Sequence, residues 1–312
     1  MIEIKNLTKD FNSLKAIDNL SLKVPENEIF GLIGPDGSGK TTLMRMLAGI
    51  MNLTAGDILY KDKSIAKNTE EIKAFLGYMP QKFSLYGDLS VIENINFYAD
   101  IYLVPKKERA ETIKKLLSFS NLSDFKDRPA DKLSGGMKQK LGLSCALIHK
   151  PRILLLDEPT NGVDPLSRRE FWNILYDLKT QGVTILISTP YMDEAARCDG
   201  IALIDKGKLV FTGSPKKIRE EYAGNVIEMI TSDNILAFEA VSVLEGVSDA
   251  SIVGEVLHIN TAMDFPPETI NNKLREISIS IIDKKSIEPT IEDVYIYLTK
   301  ERQKLPSEDH KK

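Results

Sequence analysis

The chain has 312 residues, 42% apolar and 28% charged. That balance excludes disordered and fibrous classes, and the length allows one large domain with an appendage or two domains. With 41 Lys and Arg against 45 Asp and Glu, the formal charge is -4, so no nucleic-acid partner is expected. The two cysteines, Cys145 and Cys198, are far apart and outside any CxxC, which argues for buried small residues in a reducing compartment and against a metal or redox site.

The opening MIEIKNLTKDF carries acidic residues and no apolar core, so no secretory signal is expected. No apolar run approaches the roughly 18 residues that span a bilayer. NEIFGLIG (27–34) reads as a buried strand. It leads into GPDGSGKTT, which satisfies G-x-x-x-x-G-K-[ST] with Gly34, Gly39, Lys40 and Thr41. Average residue usage gives that pattern about one chance in a hundred in a chain this long. KTTLMRMLAGI reads as a helix, so the loop has the strand-to-helix setting that phosphate binding needs, beyond an ordinary Gly-rich turn. Gly37 and Gly39 let successive N–H groups point inward, Lys40 supplies a full charge for the β- and γ-phosphates, and the Thr41 hydroxyl can sit on Mg2+.

KLSGGMKQKLGLSCALIHK (132–150) opens with Ser134, Gly135 and Gly136 ahead of a helix. Ser134 is a natural N-cap, and the glycines would let a phosphate approach the exposed N–H groups, although a capped helix needs no ligand. PRILLLDEP (151–159) reads as a strand ending in two carboxylates, Asp157 and Glu158. Beside a phosphate loop the first would hold the Mg2+ shell and the second polarise a water; alone, a solvated acidic pair would be the plainer reading. LSRREFWNILYDLKTQG has helical periodicity and stops at Gly182, while VTILIS (183–188) and GIALIDKGKLVFTG (200–213) read as strands. Together these predict an α/β domain around a mainly parallel sheet.

After about residue 222 the texture changes. NVIEMIT, ILAFEAVSVLEGV, SIVGEVLHINT, PETINNKLREI, SISIID and TIEDVYIYLTKE predict strand, helix, hairpin, helix, strand, helix, a small C-terminal α+β domain of ferredoxin-like outline. The expected division is 1–222, 223–301 and a charged, frayed tail at 302–312, with the break near Gly224. His149, at the end of the helix after LSGG, and His258, in a predicted strand, read as structural.

The stretches Gly34 to Thr42, Gln81 in GYMPQ, LSGGMKQK, ILLLDEPTNGVDP and STPYMDEA resemble, in order and spacing, the motifs of ATP-binding cassette ATPases, the nucleotide-binding subunits of ABC transporters. The resemblance covers roughly residues 1–220. SLYGDLSVIENI, DEPTNGVDPLSRREFW and the closing EPTIEDVYIYLTK are similar to the drug-export and daunorubicin-exporter-like branch. It implies an α/β P-loop NTPase cassette with a helical signature subdomain and an antiparallel β segment, using ATP and Mg2+. The implied nucleotide contacts are Gly34, Asp36, Gly37, Ser38, Gly39, Lys40, Thr41 and Thr42, with Phe11 stacking on adenine; a core Phe is the alternative there. Thr41, Gln81 and Asp157 are the implied metal ligands, and Glu158, Lys40 and Gln81 the catalytic groups. Ser134, Gly135 and Gly136 would close over the γ-phosphate of an opposite subunit, and Asp164 would link the two sites. The implied partners are a second cassette and a separate membrane-spanning permease, with the chain peripheral on the cytoplasmic face of the membrane.

One position departs from the family. Pro190 stands where a histidine normally contacts the γ-phosphate, and proline has no polar side-chain atom and no N–H. The chain either hydrolyses ATP with Glu158 as base while Pro190 shapes the turn before Tyr191, or hydrolyses slowly as an ATP-gated clamp, or relies on an unlike partner for a complete site. The expected function is the ATPase of a membrane exporter. The alternatives are a soluble non-transport cassette ATPase and a weakly catalytic regulatory module. The C-terminal domain reads equally as a dimerisation or a regulatory unit.

Overall fold

Alternating burial along the first two strands builds a small antiparallel sheet. In β1 (Ile2–Phe11) Ile2, Ile4 and Leu7 turn inward, and in β2 (Leu14–Val24) Ile17, Leu20, Leu22 and Val24 do the same, a period of two interrupted where the register shifts on either side of Leu7. The computed structural model describes residues 1–304 except Ser13, Phe83 and Ser84, the last of which opens the SLYGDLSVIENI stretch. β3 (Ile29–Ile33) is buried throughout and leads through the Gly34 loop into α1 (Lys40–Leu47). Helix α1 ends in a Schellman closure: Gly49, at φ 66, donates to Met46 O, and Ile50 donates to Arg45 O.

Next come β4 (Ala55–Tyr60), β5 (Lys63–Ser64), α2 (Ile65–Lys73) and β6 (Leu76–Met79). Three helices follow: α3 (Val91–Ile101), started by a Ser90/Glu93 capping box, α4 (Lys106–Phe119) and α5 (Gly135–Leu147). They share a separate core of Val91, Ile95, Ile113, Leu117, Leu141 and Cys145, which makes this segment a helical subdomain. β7 (Ile153–Asp157), α6 (Pro165–Thr180), β8 (Thr184–Thr189), α7 (Met192–Ala195), β9 (Gly200–Asp205) and β10 (Lys208–Gly213) complete the first unit. Helix α6 starts on Asp164 with Pro165 at its first position. It closes on Gly182, at φ 85, with Val183 donating to Leu178 O. The stretch 200–213 is a hairpin, whose turn residues Lys206 and Gly207 both have positive φ.

The main sheet has the order β10-β9-β3-β8-β7-β6, and every neighbouring pair except β9 with β10 is parallel. The antiparallel sheet is β2-β1-β4-β5. Parallel strands end on one edge, so the loops after β3, β6, β7 and β8 emerge side by side, where ligands of open α/β sheets bind.

The first compact unit ends at Ser214 and the second starts at Pro215, ahead of the break expected near Gly224. The physical reason is that α8 (Pro215–Glu220) and Tyr222 pack within the second unit. Tyr222 donates to Asn260 Oδ1 at 2.8 Å and meets the Tyr297 ring edge-on. Then come β11 (Gly224–Thr231), α9 (Asn234–Val241), β12 (Val247–Val253), β13 (Val256–Ala262), α10 (Pro267–Glu276), β14 (Ile281–Ile287) and α11 (Ile291–Lys304). The order β12-β13-β11-β14, antiparallel throughout, is the ferredoxin-like arrangement of a βαββαβ chain. Ile227, Met229, Val241, Leu257, Ile259, Ile270 and Leu274 form its core. The tail expected from 302 begins inside α11, and residues 305–312 lie outside the described residues.

Candidate active site

The loop between β3 and α1 requires its glycines for distinct reasons. A Cβ on Gly34 would lie 2.2 Å from Ile204 O, and one on Gly39, at φ 106, would lie 2.6 Å from Ala16 O. Gly37, at φ 79, faces open space. The loop curls around Lys40, which is 3% exposed and donates from Nζ to Gly34 O at 2.8 Å and Pro35 O at 3.0 Å. Ser38 Oγ is buried without a partner among the described residues, whereas Asp36 is exposed on the loop.

Across the sheet, β7 pairs in register with β8 so that Asp157 stands beside Ser188. Ser188 Oγ donates to Asp157 Oδ1 at 2.6 Å and accepts from Glu158 N at 3.0 Å. Thr41 Oγ1 also donates to Asp157 Oδ1, at 3.2 Å. Asp157 Oδ2 is fully buried and has no partner among the described residues, which is costly unless a water or an ion satisfies it. Hard oxygen donors from one carboxylate and one hydroxyl suit Mg2+, which usually takes one or two protein groups and completes its shell with water and phosphate. Among the described residues no cluster of three or more His, Cys, Asp or Glu could hold a metal by itself.

Glu158 has left-handed backbone, φ 49, as the chain leaves the strand, an uncommon conformation for a residue with a long side chain. Its carboxylate, 5% exposed, is held from two sides. Oε1 lies 3.4 Å from Lys40 Nζ, and Oε2 accepts from Gln81 Nε2 at 2.7 Å and Asn161 Nδ2 at 3.3 Å. Gln81 follows the end of β6, which explains its reach to a residue 77 positions away. Its amide nitrogen is committed to Glu158, so its oxygen is the atom that would face a metal.

A cavity of about 390 Å³ is lined by Phe11, Gly37, Gly39, Lys40, Thr41, Thr42 and Glu158, with Leu14, Lys15, Ala16 and Lys206. Phe11 is 42% exposed at the end of β1, with Lys9 Nζ 4.9 Å from its ring centroid; the core alternative for this residue is therefore excluded. A larger cavity, about 670 Å³, touches α4 and the loops before β7 and β8. Four of its charged groups pair with one another, Lys115 with Glu111 and Lys150 with Glu108, while Lys107 and Arg152 also line it.

Ser134, Gly135, Gly136 and Asp164 do not line the Lys40 cavity. Ser134 caps α5 by accepting from Met137 N at 3.3 Å. Gly136 has a packing reason that sequence reasoning missed, because a Cβ there would fall 2.5 Å from Ser167 on α6. Asp164 accepts from Ser167 N at 2.9 Å, and these Ser167 bonds hold its carboxyl below the usual range. Sequence reasoning also missed Ser188 and Asn161 as partners of the carboxylate pair, since nothing in local pattern marks them.

The histidines and cysteines are structural. His149 stacks on Tyr102 with ring centroids 3.8 Å apart, and its Nε2 meets Leu76 O at 3.1 Å, so it is more than a surface residue. His258 pairs across the strand with Glu228 at 2.9 Å, a partner not visible in the sequence. Cys145 and Cys198 are buried, which pushes both thiols up.

Fold and site together define a nucleotide-binding P-loop cassette. The ABC transporter family model matches residues 17–161. The chain is 40% identical over 304 residues to the probable multidrug ABC transporter ATP-binding protein YbhF of Escherichia coli K12, across 96% of this chain and 52% of that protein. It thus spans about half the length of that relative. It is 33% identical over 301 residues to the Nod factor export ATP-binding protein I of Rhizobium sp. N33, across 96% of each. Among solved structures, CbiO1 of Clostridium perfringens, part of the ABC transporter complex cbiONQ, superimposes with a TM-score of 0.65 at 26% identity, over 70% of this chain and 90% of that one. The chain belongs to the ATP-binding subunits of ABC transporters, with a probable multidrug transporter protein and a Nod factor export protein among its relatives.

Proposed function

We propose that the chain is the ATP-hydrolysing subunit that powers an ABC-type membrane exporter. The observation that carries this reading is the joint lining of one cavity by Phe11, the Gly37 to Thr42 loop and Glu158, three segments far apart in sequence. Lys40 would exchange the carbonyls of Gly34 and Pro35 for β- and γ-phosphate oxygens, with the loop N–H groups and the start of α1 adding to the field. That exchange frees Glu158 Oε1 from the ammonium, so the carboxylate can take a proton from the attacking water while Oε2 stays held by Gln81 and Asn161. Thr41, Asp157 and the Gln81 oxygen would hold Mg2+, which when bound neutralises charge on the phosphates. Phe11 would stack on the adenine.

Ser134, Gly135, Gly136 and Asp164 stand outside the cavity, the placement needed if they complete the site of a second cassette in a head-to-tail pair. The exporter reading is supported by the names of the multidrug and Nod factor relatives. Among the described residues no helix is long and apolar enough to cross a membrane, so a separate permease chain would carry the substrate path and hold this subunit on the cytoplasmic face.

Phosphate release from Mg2+-ATP tests the assignment. Glu158→Gln is expected to lower kcat by about 100-fold or more with ATP still bound; unchanged turnover would remove Glu158 as the base. Affinity purification from native membranes in mild detergent is expected to recover a multispanning protein in near-equal amount. Recovery of soluble partners alone would place the chain among non-transport ATPases.

A further inference from the structure

Pro190 has no donor to offer the site, yet the turn it makes aims the next residue at Asn161, which in turn contacts the Glu158 carboxylate. Tyr191 N donates to Thr189 Oγ1 at 3.1 Å, a side-chain-to-backbone turn that spans the proline. The phenol then donates to Asn161 Oδ1 at 3.2 Å, and Asn161 Nδ2 donates to Glu158 Oε2 at 3.3 Å. The polarity of this chain is fixed at its far end. A carboxylate accepts only, so Asn161 must present its NH2 to Glu158 and its oxygen to the phenol. The ring itself is pinned, with the Arg168 guanidinium 4.4 Å from its centroid. Arg168 is in turn 3.7 Å from Glu194 Oε1, a fully buried carboxylate that also accepts from Thr160 Oγ1 at 2.8 Å and Trp172 Nε1 at 3.2 Å.

We propose that Tyr191 is a positioning residue for hydrolysis, acting through Asn161 to hold the Glu158 carboxylate in the orientation that leaves Oε1 toward the phosphate site. The inference rests on the reading of Glu158 as the base. Asn161 is exposed, so water competes for its amide, and a tether from a pinned phenol keeps the NH2 on Glu158 instead of in solvent. Gln81 reaches the same oxygen, so Oε2 is held by two amides and rotation of the carboxylate would forfeit both.

The test is ATP turnover by the full chain in parent, Tyr191→Phe, Asn161→Ala and doubly substituted forms, with ATP affinity and Trp172 fluorescence melting measured on each. Tyr191→Phe keeps the ring under Arg168 and removes only the hydroxyl. Its kcat is expected to fall roughly 3- to 10-fold, the worth of one net hydrogen bond, with KM, ATP affinity and melting unchanged. The double variant is expected to be no slower than Asn161→Ala alone. A Phe variant with parental kcat, losses that add in the double variant, or a KM increase matching the loss would each overturn the proposal. Glu158→Gln, run alongside, separates the two claims: parental turnover there sinks the base assignment, whereas a silent Tyr191→Phe with a dead Glu158→Gln sinks only the tether.

Discussion

Ser188→Ala removes one oxygen from the centre of the site, and its cost follows from the contacts. The hydroxyl donates to Asp157 Oδ1 at 2.6 Å and accepts from Glu158 N at 3.0 Å, in a fully buried position. The Glu158 N–H keeps a second acceptor, Ser188 O at 3.1 Å, so its loss is small. Among the described residues Asp157 keeps only Thr41 Oγ1 and is left otherwise unpaired in the interior. A buried hydrogen bond to a charged group is worth about 1.5–3 kcal/mol, so we expect a loss near 2 kcal/mol. For a unit of this size that corresponds to a drop in Tm of about 4–8 °C. Trp172, the only tryptophan in the chain, is fully buried in the first unit, so its fluorescence on heating reports that unit alone. A shift below about 2 °C would mean that Asp157 does not depend on Ser188, and the account of a prepaired carboxylate awaiting a metal would fail.

Gly136→Ala should destabilise the same unit by about 1–3 kcal/mol through overpacking against Ser167. Adding Ser167→Gly, which removes the clashing side chain, should recover part of the loss; no recovery in melting would show that another contact sets the requirement for glycine. His149 is the only histidine before residue 215, and burial pushes its pKa down from the ordinary 6.5, with the Leu76 carbonyl opposing. The unfolded chain therefore binds the proton first, so stability of the first unit should fall as pH drops through 6.5 toward the lower folded value and be fully present above it. In His149→Gln that portion of the dependence, read from Trp172 melting between pH 5 and 7.5, should flatten; an unchanged profile would assign it to other groups.

Local pattern carried much of this protein. The Gly34 to Thr41 loop, the Asp157 and Glu158 pair, the Gly182 helix stop and the βαββαβ order after residue 224 are all written in short stretches. They are legible because backbone geometry sets side-chain periods of 2 and 3.6 and restricts positive φ to few residue types. Resemblance added Gln81 and Asp164, whose spacing alone has no chemistry attached.

What tertiary structure decided were meetings between distant segments. Gln81 and Asn161 converge on one oxygen of Glu158, Ser188 bridges the carboxylate pair from a neighbouring strand, and Gly136 is required by Ser167 on another helix. Phe11 proved exposed, and Tyr222 belongs with Asn260 and Tyr297 in the second unit. Apart from the Asn161 contact, only three residues from Glu158, these could not be read locally, because they depend on how strands and helices distant in the chain are brought together. The sequence by itself determined the chemistry available at the sheet edge; the order β3-β8-β7-β6 determined which groups meet there.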